Sequence, residues 1–113
     1  MADRSREQYF EQKLKSGATF LGRWAGADAE LAELTRSHRT ARVLLTRDKP
    51  GENLLISCLE PVRIEAPIRW SNASLSITRA SLSSDDEGFL ISDPNGRVSI
   101  LCGAVEFAEN VKR

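Results

Sequence analysis

From Arg42 to Phe107 apolar and polar residues alternate in short runs, and residues that favour turns separate one run from the next. Ala41, Val43 and Leu45 share one parity against Arg42, Leu44 and Thr46, and Leu54, Ile56 and Cys58 repeat the scheme. Val62, Ile64 and Ala66 stand against Arg63 and Glu65, then Ala73, Leu75 and Ile77 against Ser74, Ser76 and Thr78. Phe89 with Ile91, Val98 with Ile100 and Cys102, and Val105 with Phe107 complete the set. A period of two sends successive side chains to opposite faces of a strand, so each run has an apolar face and a wetter one. Ile56, Ile64, Ile77, Ile91 and Ile100 are therefore expected in the core. The punctuation agrees: Asp48-Lys49-Pro50-Gly51, Ser84 to Gly88 and Asp93-Pro94-Asn95-Gly96 hold residues that favour turns. Connections this short exclude crossover helices and imply antiparallel hairpins.

The first forty residues differ in character. Ser5-x-x-Gln8 has the form of a capping box, and Phe10, Leu14 and Ala18 follow at a spacing of four. This predicts an amphipathic helix over residues 5–16, ended before Gly17. Phe20, Leu21 and Trp24 form a second apolar cluster next to Gly22 and Gly26, a further helical turn or a loop plug. Asp28 is a fair helix N-cap, Leu31, Leu34 and His38 have helical spacing, and Ala, Glu and Leu dominate residues 29–34, so residues 28–39 read as helix. The whole is an α+β chain, an N-terminal helix packed on an antiparallel sheet of roughly six to eight strands curled into a sandwich or partial barrel. It reads as one domain over residues 1–113, helical or looped over 1–40 and β over 41–108. Pro61, Pro67, Lys112 and Arg113 stand where sheet edges need protection.

At 113 residues the chain is long enough to bury a core without disulfides or metals. Sixteen basic residues balance sixteen acidic ones, so there is no net field to draw a polyanion, and nucleic-acid binding is disfavoured. The N-terminus is too polar for a signal peptide and no apolar run reaches membrane-spanning length, so a cytoplasmic location away from membranes is expected. Cys58 and Cys102 both fall on the apolar parity, as two buried, reduced thiols would.

His38 is the one histidine, and it lies between Arg36 and Arg39, cations that repel a metal ion. A Cys-His-Asp set of one thiol, His38 and Asp93 lacks the flanking sequence of known cysteine nucleophiles. Asp85-Asp86-Glu87 matches no calcium loop. No catalytic residue, metal ligand or cofactor is assigned. The stretch from Arg36 to Arg42 is the better surface, because guanidinium forks bind carboxylates in pairs. Trp70 beside Arg69 is either core or an interface anchor. The function expected is a non-catalytic protein-binding domain that uses a sheet face or edge and the basic segment 36–42. Arg36, His38, Arg39, Arg42 and Trp70 are its binding candidates. Its partner is a protein with an acidic surface, and homo-oligomers are allowed. The alternatives are a small enzyme or ligand-binding barrel using His38 and a thiol, and a single-stranded nucleic-acid binder.

Overall fold

The computed structural model describes residues 2–35, 39–49, 51–95 and 97–111, with backbone alone for residues 2–4. One helix, α1 (Ala2–Arg23), precedes seven strands: β1 (Asp28–Thr35), β2 (Thr40–Thr46), β3 (Asn53–Glu65), β4 (Arg69–Trp70), β5 (Ser76–Ser81), β6 (Glu87–Asp93) and β7 (Val98–Glu109). They form one antiparallel sheet in the order β4-β1-β2-β3-β7-β6-β5. This is the expected α+β arrangement of an N-terminal helix on a β-rich sheet.

Two expectations about the N-terminal part are corrected. Residues 28–35 are strand, because Ala29 pairs with Leu45 and Leu31 with Val43, and this cross-strand burial outweighs local helix propensity. Arg39, at the end of that stretch, is in a turn, and Arg36 to His38 lie outside the described residues. The helix also runs on through Gly17 to Arg23. Gly17 does not end it, because the missing side chain is what lets the helix approach the sheet: a Cβ there would sit 3.1 Å from Ile77 Cγ2 and from the Phe107 ring.

The long strands β3 and β7 bend together. Glu60 has φ of 50°, and a bulge follows where Pro61 pairs with Cys102 but Arg63 pairs with Leu101. Opposite the bend, a Cβ on Gly88 would overlap the Cys102 carbonyl oxygen, so only glycine fits. The bulge corrects the phase read from sequence at this point. Val62 is 59 % exposed, while Ile64 and Ala66 are only partly buried against the core. Ile56, Ile77, Ile91 and Ile100 are buried as expected.

The bend curls the sheet until its ends meet. Trp70 on β4, at one end of the strand order, donates its indole N–H at 3.0 Å to Asp93 Oδ2 on β6, the strand next to the other end. The remaining gap is filled by α1. β6 pairs with β7 only between Val98 and Cys102, and the helix lies beside the rest of β7. There Phe20 stacks on Phe107 with ring centroids 5.4 Å apart, and Lys13 and Arg23 reach Glu106 and Glu109. At the other end of the helix Phe10 packs on Phe89 at 5.1 Å, and both carboxylate oxygens of Glu7 accept from Arg79.

Candidate functional site

The residues singled out in the sequence are not brought together. Arg36 and His38 lie outside the described residues. Arg39 is exposed with φ of 47°, and its carbonyl accepts the Glu60 N–H at 2.8 Å. Arg42 lies on the outward side of β2, where Nη1 donates to Glu33 at 2.7 Å and a buried Nε finds no hydrogen-bond partner among the described residues. Trp70 is packed against the core near the start of β1, opposite Ala29, whereas Arg42 stands opposite Glu33 towards the other end. Trp70 also lines an open cleft of about 570 Å³ with Asp28, Glu30 and Arg69, but Glu30 and Arg69 neutralise each other at 3.6 Å.

Among the described residues, Asp93 and the two thiols are buried within the fold. The Asp93 carboxylate is fully buried; besides Trp70, Oδ2 accepts the Ser74 amide at 2.8 Å and Oδ1 the Asn95 amide at 3.0 Å. Cys58 and Cys102 are free thiols with no exposed surface. The neighbouring Cys102 thiol, together with burial, holds Cys58 far above the usual thiol range, which suppresses the thiolate that a nucleophile needs. Among the described residues no group of three His, Cys, Asp or Glu is placed to hold a metal ion. Tyr9 is the one aromatic side chain among them that is exposed, so no row of rings faces solvent.

The feature that stands out is the outward face of the sheet. Leu44 on β2, Leu55 and Leu59 on β3, Leu90 on β6 and Leu101 on β7 all lie on the parity opposite to the core and none belongs to the core cluster; Leu44 is buried by its neighbours and the other four are half-buried. The register sets them side by side: Leu44 pairs with Leu55 and Leu55 with Ala108, Leu59 pairs with Ala104, and Leu90 pairs with Leu101. Val62, in the bulge opposite Leu101, extends the patch. Between the leucine rows runs a polar one in which Arg42 pairs with Ser57 and Ser57 with Glu106. The basic end of β2 thus borders an apolar face.

The reading of alternation missed this face, although the signal was present. Val43-Leu44-Leu45, Leu54-Leu55-Ile56, Phe89-Leu90-Ile91 and Ile100-Leu101-Cys102 are unbroken apolar triplets, the pattern of strands covered on both sides. The inward members are β-branched, aromatic, cysteine or leucine, and the outward member is leucine every time.

No family model, curated protein or solved structure matches the chain.

Proposed function

We propose that the protein is a non-catalytic protein-binding domain whose contact surface is the outward face of β2, β3, β7 and β6. The observation that carries this is the group of five leucines on the side of the sheet that faces away from the core. A face left to water in an antiparallel sheet is ordinarily polar, whereas here half-buried leucines flank a central polar row, the mixed composition of a contact surface. Arg39 and Arg42 border this face, where an acidic group of the partner would meet them. A cytoplasmic setting suits the two reduced thiols.

The test uses Leu59, which can be altered without touching the core. The wild-type protein and a Leu59→Lys variant are immobilised and exposed to soluble extract of the native cell. A partner retained by the wild type is then titrated against both, and against a variant with Arg39 and Arg42 reversed to glutamate, at two ionic strengths. Loss of affinity in the variants, and weakening of the wild-type interaction by salt, is the expected result. Equal affinity for all three proteins would remove the face from consideration.

A further inference from the structure

We infer that the partner covering this face is a second copy of the same chain, stacked face to face about a two-fold axis that runs along β3 at Ser57. The inference rests on the proposed binding role of the face and names its occupant.

The charge pattern carries it. β3 lies between β2 and β7, and the polar row across these strands is Arg42, Ser57, Glu106. Turning a copy of the sheet over about the β3 direction exchanges β2 with β7. Arg42 then faces Glu106 of the second copy, and Glu106 faces its Arg42. The same operation sets Leu55 and Leu59 against their own counterparts and Leu44 against Ala108. A small residue, Ser57, lies on the axis between Leu55 and Leu59, which allows two layers to approach to the ~10 Å of packed sheets. This is the self-complementarity that an isologous interface demands.

A foreign partner would have to reproduce the same set, a carboxylate over Arg42 and a cation over Glu106, with a small residue between them and apolar side chains in the rows on either side. The chain already carries that set at the right spacing. Within one copy Arg42 is held by Glu33 at 2.7 Å and Glu106 by Lys13 at 3.4 Å, so the polar row with its partners carries no net charge. A second copy is not repelled, and a strongly charged partner of either sign has no field to follow.

The experiment is sedimentation equilibrium of the full chain across a concentration series, with thermal melts to show that each variant folds. The wild type is expected to form a dimer and Leu59→Lys a monomer with an unchanged melt. Arg42→Glu and Glu106→Arg should each weaken the dimer by about tenfold or more, and the double variant, which restores opposite charges across the axis, should recover most of the loss. Three results would overturn the inference: a wild type that stays monomeric to its solubility limit, a dimer that survives Leu59→Lys, or a double variant no tighter than the singles. A monomeric wild type that still holds a foreign protein through Leu59 would sink the second copy alone and leave the binding role standing.

Discussion

Replacing Asp93 by alanine removes at one stroke the acceptor for Trp70 Nε1, Ser74 N and Asn95 N. The magnitude follows from where those donors lie. Asn95 sits in an exposed turn, and its amide can turn to water at little cost. The indole of Trp70 and the Ser74 amide both point at a fully buried oxygen, and each orphaned donor costs about 1–3 kcal/mol, or about 2–6 kcal/mol for the two. Asp93→Asn separates the lost acceptor from the lost volume. Its carbonyl oxygen can occupy the Oδ2 position and keep both demanding donors while its amide faces the turn, for a loss of about 1–2 kcal/mol. Urea unfolding at neutral pH, followed by tryptophan fluorescence, measures both variants. A Trp70→Phe variant completes a cycle, in which the cost of Asp93→Ala should shrink because one donor is already gone. An alanine variant within about 1 kcal/mol of wild type, or an asparagine variant as costly as alanine, would show that the carboxylate does not hold the sheet ends together.

Gly88→Ala places a methyl on the Cys102 carbonyl oxygen, which is backbone and cannot turn aside, and calorimetry should show a loss at or above the usual ~3 kcal/mol limit of overpacking. The Glu109 carboxyl is held below its ordinary 4.5 chiefly by the Trp24 indole N–H and then by Arg23, so its contribution is complete above pH 4.5 and fades as pH falls through the lowered value. Melting temperature measured from pH 6 down to 3 should therefore fall less steeply in Glu109→Gln than in wild type. Both thiols should resist a disulfide reagent in the native protein and react at once in urea; fast native labelling would contradict their burial. Ile56→Ala should cost about 2–5 kcal/mol, whereas Leu59→Lys, three residues along the same strand on the outward side, should cost under about 1 kcal/mol.

Alternation made the strand cores legible, because the inward residues of a sheet repeat every second position whatever surrounds them. It failed in three places, each for a non-local reason. Residues 28–35 carry helix-forming side chains, and only their pairing with β2 makes them a strand. Val62 departs from the phase of its run because a bulge inserts one residue at the bend. Alternation assigns one face to the core and asks nothing of the other, so it carries no signal for the outward leucines. Gly17 has the sequence appearance of a stop while its role is a close approach, a distinction that requires knowing that Ile77 and Phe107 come to meet it. The arginine stretch pointed to a region bordering the candidate face, whereas Trp70 belongs to the closure of the sheet with Asp93.

The helix that closes the sheet is the first element of the chain, and nearly everything that seats it comes from the far end. Lys13 reaches Glu106 across 93 residues, Trp24 reaches Glu109 across 85, and Arg79 reaches Glu7 across 72. A ribosome therefore releases α1 long before its seat exists, and the early chain holds an amphipathic helix with nowhere to put Phe10, Leu21 and Trp24. Folding must wait for β7, and so many distant contacts make a slow search. Until that strand arrives the nascent chain is a client for whatever shields apolar surfaces, and a truncation that removes only the last ten residues would take Glu106, Phe107 and Glu109 from the second half of the helix while leaving Phe89 and Arg79 under the first.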